Sequence, residues 1–228
     1  LIRSVFAVPQ NIRLEQSLEN FRYLTSFHLL KTRDLALISV WNPTFLQLIL
    51  ESMLDNLPEL IRDISDGVIR TPDGTSRLEI RGKKRVSRAQ EIERWYGRDG
   101  ERRDFSDLWP SLELISCWDE AESRPYAERL AAWFPRITFQ GKGLLATEGI
   151  VSFPLVESGG PVPAYQSHYL EFLPDDHDET MGIGDLEQGI DYTVILTTGG
   201  GLYRYNLHDR FRVRGLYRSL PILQFTGR

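Results

Sequence analysis

The sequence predicts an α/β fold in which a mixed β-sheet is flanked by helices. Three observations support this prediction. The first third of the chain repeats apolar residues with a helical period, and the last third holds short β-branched and aromatic runs between glycine and aspartate turns. Between them, a strand pattern at 112–117, a helical pattern at 125–133 and a strand pattern at 137–140 follow one another, which is typical of a parallel pair with a helical crossover.

The helices of the first third are marked by their ends. Residues 17–30 repeat apolar side chains on one face. Asn42 followed by Pro43 predicts a helix start, because the amide can cap the first turn and the ring fixes φ where no N–H is needed. A later Asn-Leu-Pro run starts a shorter helix that Gly67 ends. A short buried strand is expected at 35–40.

Residues 66–106 are the most polar stretch of the chain, and they contain a charged helical pattern around 87–95. We interpret this stretch as a peripheral insertion and not as a core layer. Further strands are predicted downstream, and the short turns between them indicate antiparallel pairing. These strands lie at 150–153, 169–173, 192–197, 202–205, 211–213 and 222–225.

Composition limits the classes of function. The 228 residues carry 27 basic and 32 acidic groups, a net charge of −5, which argues against non-specific nucleic-acid binding. The basic residues at 81–88 could contact phosphate, and the alternative is a solvated loop leading into a helix. A single cysteine, Cys117, excludes an internal disulfide and favours a cytoplasmic protein. No apolar run approaches the roughly 18 residues of a membrane span.

Common catalytic motifs are missing from the sequence. It contains no nucleophile elbow, no Walker lysine motif and no dinucleotide-binding glycine motif. Its four histidines lack the spacing of metal ligands. The acidic run at 175–179 lacks the spacing of a calcium loop and is interpreted as a solvated turn.

Three segments remain as candidates. Residues 140–149 follow a predicted strand with small residues and a carboxylate, an arrangement that can admit a flat base and direct an oxygen at a metal-bound phosphate, although a plain turn is the alternative. The glycines at 199–201 allow either close ligand approach or a tight hairpin turn. Asp209 can accept hydrogen bonds from ribose hydroxyls, or it can pair with Arg210 or Arg212 on the surface.

Taken in chain order, these segments resemble the Gretchen Hagen family of auxin-responsive acyl-acid amido synthetases, in its bacterial branch. The segments that carry the resemblance are 6–9, 42–45, 109–112, 146–149, 197–205 with Asp209, and 225–228. The resemblance implies that residues 1–228 form the central part of the large N-terminal domain of an adenylate-forming, acetyl-CoA-synthetase-like fold. Such enzymes use ATP and Mg²⁺ to convert a carboxylic acid to an acyl-adenylate, and this family then transfers the acyl group to an amino acid.

The resemblance also assigns residues. Thr147 and Glu148 would act in catalysis, with Glu148 holding Mg²⁺, and Asp209 would bind ribose. The nucleotide-binding residues that it implies are Leu145, Ala146, Thr147, Glu148, Asp209 and Arg228. One departure is His208, where the family usually has a glycine before its aspartate.

The resemblance also sets expectations for the whole enzyme. The phosphate loop is expected upstream of this chain and the small C-terminal domain downstream, so this fragment alone is expected to be inactive. The expected partners are a carboxylic-acid substrate and an amino-acid acceptor, with no nucleic acid and no membrane. Two alternatives stay open: transfer of the acyl group to a thiol such as coenzyme A, and a non-catalytic binding relative of the fold.

Overall fold

The structure, a computed structural model, describes residues 5–74, 83–97 and 104–227. The chain forms two compact units. The first contains residues 1–115 and 128–139, and the second contains residues 116–127 and 140–228. None of the described helices is both long and apolar enough to cross a membrane.

Helices and strands occur in both parts of the chain. The α-helices are α1 (Leu18–Lys31), α2 (Pro43–Asp55), α3 (Leu57–Asp66), α4 (Val86–Tyr96) and α5 (Arg124–Trp133). The strands are β1 (Leu37–Ser39), β2 (Leu114–Cys117), β3 (Thr138–Gly141), β4 (Ser152–Pro154), β5 (Pro161–Pro163), β6 (Tyr169–Pro174), β7 (Asp191–Thr197), β8 (Tyr205–Tyr217) and β9 (Leu220–Gly227). Short 3₁₀ turns lie at Gln10–Leu14, Phe105–Asp107, Ala121–Ser123 and Ile183–Asp185.

Local sequence fixes the helix ends. The Ser17 hydroxyl accepts the N–H of Asn20 at the start of α1. The Asn42 side chain accepts the N–H of Thr44 at 2.9 Å at the start of α2. Gly67 ends α3 with φ of 72°, in the left-handed region that glycine adopts without a steric cost. The helix boundaries predicted from these residues are therefore confirmed.

A buried carboxylate joins the helices of the first unit. Asp63 on α3 is completely buried, and it accepts hydrogen bonds from the Tyr23 hydroxyl at 3.0 Å and from the Arg70 backbone N–H at 2.7 Å. Burial, together with the Asp63 charge, raises the pKa of Tyr23 well above its ordinary value. The Tyr23 hydroxyl therefore stays protonated and donates to the carboxylate.

Helix α4 contributes to the core of the first unit, although it lies in the polar stretch at 66–106. Ala89, Ile92 and Trp95 are buried in the same cluster as the apolar faces of α1 to α3. Their spacing of three residues gives α4 one apolar face that can be buried. The interpretation of residues 66–106 as an insertion relative to the rest of the fold stays a prediction.

Strands β1, β2 and β3 form one sheet in that order. Glu113 donates its N–H to the Ala36 carbonyl, and Thr138 donates its N–H to the Glu113 carbonyl, both at 3.1 Å. These bonds join the N-terminal ends of the strands, so the strands run parallel. The β2–α5–β3 crossover predicted from sequence is therefore confirmed, and the carboxyl ends of β2 and β3 lie at one edge.

The second unit contains an antiparallel sheet in the order β6-β7-β8-β9 and an antiparallel pair, β4-β5. The strand predicted at 202–205 is wrong for residues 202–204, which form a loop before β8 begins at Tyr205. Three glycines and a left-handed Arg204, with φ of 45°, keep this segment from pairing as a strand. Strand β5 was missed because proline stands at both of its ends.

Candidate functional site

The first candidate motif forms a tight turn beyond β3. Ala146 and Gly149 exchange backbone hydrogen bonds of 3.0 and 3.3 Å, and Leu145 and Ile150 form a β-bridge around them. Two residues, Thr147 and Glu148, therefore occupy the tip of the turn. The carboxylate of Glu148 is carried on a backbone that these bonds fix.

One side of this turn is exposed and the other is packed against the core of the second unit. The side chain of Leu145 is 37% exposed, while Ala146 packs against the core of the second unit. Gly143 has φ of 67°, and a Cβ there would lie 2.6 Å from the Ser152 carbonyl oxygen, so only glycine fits. Close backbone packing at Gly143 thus sets the direction in which the turn projects.

A histidine that the sequence did not single out lies against the turn. A Cβ added to Gly149 would lie 2.9 Å from Cδ2 and Nε2 of His168 and 3.0 Å from a methyl of Leu196. Within the described part of the chain, the Nδ1 atom of His168 is buried without a hydrogen-bond partner. The turn is therefore seated between His168 and the end of β7.

The glycine-rich segment follows directly from the end of β7. Thr198 donates its N–H to the Leu202 carbonyl at 2.9 Å, and Gly201 takes φ of 105°. Arg204 closes the loop, because its N–H donates to the Thr197 hydroxyl at 3.0 Å. The Gly201 N–H also donates to the Thr198 carbonyl at 3.2 Å, so the glycines form a tight turn in the connection between the antiparallel strands β7 and β8, as the alternative for this segment predicted.

Asp209 lies in a bulge of β8. Thr193 pairs with Arg210 and Ile195 pairs with Asn206, so three residues of β8 lie opposite one residue of β7. His208 makes the bulge possible with φ of 58°, and its N–H donates to the Asn206 side chain at 2.7 Å. The histidine thus adopts the backbone conformation that a glycine would favour at this position.

Asp209 is buried, whereas the side chains of the neighbouring Arg210 and Arg212 are exposed. The Asp209 residue is 2% exposed. Arg210 pairs with Asp175, and Arg212 pairs with Asp191, with Nε to Oδ1 at 3.0 Å. Asp209 is therefore not at the surface, and its role as a ribose acceptor or as an ion-pair partner stays a prediction.

The motifs converge on β7. The turn lies against the Leu196 side chain, and the bulge that contains Asp209 is paired opposite Val194, two residues earlier on β7, a distance of about 7 Å along the strand. Arg228, the remaining predicted residue, lies outside the described residues. Among the described residues, no group of three or more metal-ligating side chains is assembled, so Glu148 would hold Mg²⁺ only together with ligand oxygens.

Two further carboxyls lie at the edge where β2 and β3 end. Asp119 follows β2 and fills the space beside Gly141, where a Cβ would lie 2.3 Å from its Oδ1. Burial raises the pKa of Asp119, and it raises the pKa of Glu120 to about 7. Glu120 accepts the N–H of Phe225 at 3.3 Å. Ligands of α/β sheets bind at the carboxyl ends of parallel strands, and this rule could have found Asp119 from sequence.

Comparison with known proteins identifies the family. Residues 1–139 match the GH3 family N-terminal domain, and residues 162–228 match the GH3 family central domain. The chain belongs to the GH3 family. The family resemblance inferred from the sequence motifs is therefore confirmed, and membership of its bacterial branch stays a prediction.

Relatives of this GH3 chain come from plants and animals. A probable indole-3-acetic acid-amido synthetase, GH3.6 of Oryza sativa subsp. japonica, is 30% identical over 187 residues, which cover 72% of this chain and 34% of the relative. The jasmonoyl–L-amino acid synthetase JAR6 of Nicotiana attenuata is 24% identical over 157 residues, covering 62% of this chain and 26% of the relative. The GH3 domain-containing protein of Homo sapiens is 26% identical over 132 residues, which cover 53% of this chain and 25% of the relative. The chain thus spans about a third or less of the length of these relatives.

A solved structure confirms the fold. The GH3.15 acyl acid amido synthetase superposes with a TM-score of 0.82 at 22% identity, covering 97% of this chain and 42% of that chain. A GH3.15 acyl acid amido synthetase in complex with 2,4-DB gives a TM-score of 0.76 at 21% identity, covering 91% of this chain and 38% of that chain. The α/β class with a mixed sheet and flanking helices is therefore confirmed, and the chain shares the fold of this acyl acid amido synthetase.

Proposed function

We propose that the GH3 chain is part of an acid–amino-acid ligase that activates a carboxylic acid with ATP and joins it to an amino acid. The observation that supports this most directly is the convergence of the two sequence motifs on β7 in a member of this family. Relatives are named as a probable indole-3-acetic acid-amido synthetase and a jasmonoyl–L-amino acid synthetase. The proposed setting is the cytoplasm, since Cys117 is a free and buried thiol.

The proposed chemistry converts a poor electrophile into a good one. The substrate carboxylate attacks the α-phosphorus of ATP, pyrophosphate leaves, and AMP becomes the leaving group when the amine of an amino acid attacks the acyl carbon. The chain's part is to orient the reactants and to neutralise charge. Leu145 and Ala146 would lie against adenine, and Thr147 would donate to a phosphate oxygen. Magnesium bound at Glu148 would supply positive charge at the α-phosphate.

The proposed role of Asp209 is to accept hydrogen bonds from the ribose hydroxyls. Its burial gives the carboxylate a surrounding in which such bonds are strong. The same burial makes alanine a poor probe, because it would leave a cavity. Asparagine keeps the shape and one acceptor oxygen while it removes the charge.

The test is acid-dependent ATP–pyrophosphate exchange by the protein in its full native length, with aryl, indole and fatty acids and with or without Mg²⁺. We expect Glu148→Gln and Asp209→Asn each to lower the exchange rate by about 10²-fold or more, since each removes a charged contact to the nucleotide. Asp176→Ala, in the exposed turn after β6, is the matched control and should leave the rate unchanged.

The outcomes separate the proposal from its alternatives. Exchange that is equal in wild type and both site variants would remove the residue assignments. Exchange followed by a thioester with coenzyme A, and no amide with any amino acid, would identify a thiol-transferring enzyme. A folded full-length protein with no exchange for any acid would indicate a non-catalytic binding relative.

A further inference from the structure

A concave pocket of the first unit carries a large excess of positive charge. It lies where the C-terminal end of α1 meets the first turns of α4, and its volume is about 350 Å³. The residues that line it are Lys31, Arg33, Arg85, Ser87, Arg88, Glu91 and Arg94. Five of these are cations, and Glu91 is the one carboxylate in this described lining, which leaves a formal excess of four positive charges.

The floor of the pocket is a rigid arginine. Arg88 is 5% exposed, and its guanidinium donates to the carbonyls of Leu30 at 2.7 Å and Leu108 at 2.6 Å. Its remaining nitrogen donates to Glu91 Oε2 at 2.8 Å. These bonds hold the charge of Arg88 at a fixed position in the pocket.

The single carboxylate is already occupied. Glu91 Oε2 binds Arg88, and Glu91 Oε1 accepts the Nε–H of Arg33 at 3.1 Å. Both oxygens are therefore committed to guanidinium groups. Among the ion pairs formed between described residues, none includes Lys31 or Arg85.

Lys31 and Arg85 line the same pocket, where the Lys31 ammonium lies 5.6 Å from the centre of the Phe27 ring. Burial, with the charge of Arg85, lowers the pKa of Lys31 below its ordinary value. Like charges that a fold brings together in a concave space repel each other, and an anion in that space relieves the repulsion. The geometry therefore favours a ligand with more than one negative charge.

We propose that this pocket binds a small anion whose phosphate groups carry more than one negative charge. Phosphate oxygens match the planar fork of arginine and the ammonium of lysine, and the volume is in the range of small-molecule sites. A concave pocket of this size suits a compact ligand better than a nucleic-acid strand, which would need an extended basic stripe. The site uses residues of the first unit alone, so it does not depend on the proposed ligase activity.

The test is calorimetric titration of inorganic pyrophosphate into the protein at low salt without Mg²⁺. We expect binding in wild type that weakens as NaCl is raised, because screening acts on the attraction. The double variant Lys31→Gln/Arg85→Gln should bind at least about tenfold more weakly, since it removes two charge-assisted contacts. Arg129→Gln, an exposed arginine of α5, is the matched control and should bind like wild type.

A second variant protects the test against misfolding. Arg94→Gln changes only an exposed guanidinium whose Nε donates to the Gln90 carbonyl at 3.2 Å, and it should weaken pyrophosphate binding by several-fold. Equal binding by wild type, Arg94→Gln and the double variant would overturn the proposal, because pyrophosphate would then bind elsewhere. Binding of phosphoinositide vesicles or duplex DNA without binding of free pyrophosphate would overturn it as well.

Discussion

At the scale of single residues, Asp63 is the most consequential buried charge of the first unit. Asp63→Ala leaves the Tyr23 hydroxyl buried without its acceptor, and it removes the acceptor of the Arg70 N–H and guanidinium. We expect the free energy of unfolding to fall by about 3–5 kcal/mol. Asp66→Ala is the matched control: its carboxylate on the same helix is 44% exposed, so the loss should stay below about 1 kcal/mol. Urea unfolding curves measure both, and equal losses would contradict this account.

Gly149 presents a steric case at the same scale. Gly149→Ala would bring a methyl to 2.9 Å from the His168 ring, and we expect a loss of about 1–3 kcal/mol in unfolding free energy. Combining it with His168→Ala should recover part of the loss, because the ring that meets the methyl is gone. Gly199→Ala, which would meet nothing within 4 Å, serves as the control. If the double variant recovers nothing, the contact with His168 is not the cause.

At residue level, a local motif is enough to single out a candidate segment, and the roles of its residues stay predictions. The turn at Ala146–Gly149 and the loop before Asp209 could be singled out because small residues and carboxylates stand together in the chain. His168 could not be found, since nothing near it in sequence marks it and only folding brings it to Gly149. The burial of Asp209 also depends on the strand pairing around it.

At the scale of elements, the bulge of β8 depends on the left-handed backbone of His208. A glycine reaches φ of 58° without a Cβ penalty, so His208→Gly should leave the urea midpoint unchanged or raise it slightly, by up to about 1 kcal/mol in stability. His208→Val should lower stability by about 1–2 kcal/mol, because a β-branched side chain is strained there. Stability that is the same in the valine and glycine variants would mean that the bulge is not held in this conformation.

The helices and strands differ in how well the sequence predicts them. Helices α1 to α3 were predicted well, because their caps and apolar spacing lie within a few residues. The full length of β8 was not predicted, since its thirteen residues are held by partners on β7 and β9. The sequence of β5 is typical of a proline-rich loop, and this segment forms a strand because it pairs with β4. Long-range pairing, which a local pattern does not record, accounts for both differences.

At the scale of the whole molecule, two buried groups make opposite contributions to the pH dependence of folding. Burial lowers the pKa of His28 to about 4, so the stability that it contributes is present above pH 6.5 and is lost as pH falls through 4. Burial raises the pKa of Glu120 to about 7, so its contribution is present below pH 4.5 and is lost as pH rises through 7. Between pH 4.5 and 6.5 the two slopes oppose each other, which flattens the dependence for the whole chain.

Proton exchange on unfolding tests this balance without assuming a single cooperative transition. At pH 5.5, unfolding of the wild-type protein should release about one proton from Glu120. The Glu120→Gln variant has no proton to release at that site. Its side chain still offers an oxygen that can accept the Phe225 N–H. The variant should therefore take up about one proton more than wild type when both are unfolded in urea, as measured with a pH-stat. At pH 8.5 the Glu120 carboxyl is ionised in both states, so the difference should vanish. A difference that persists at pH 8.5, or that is absent at pH 5.5, would show that Glu120 is not the group that holds the proton.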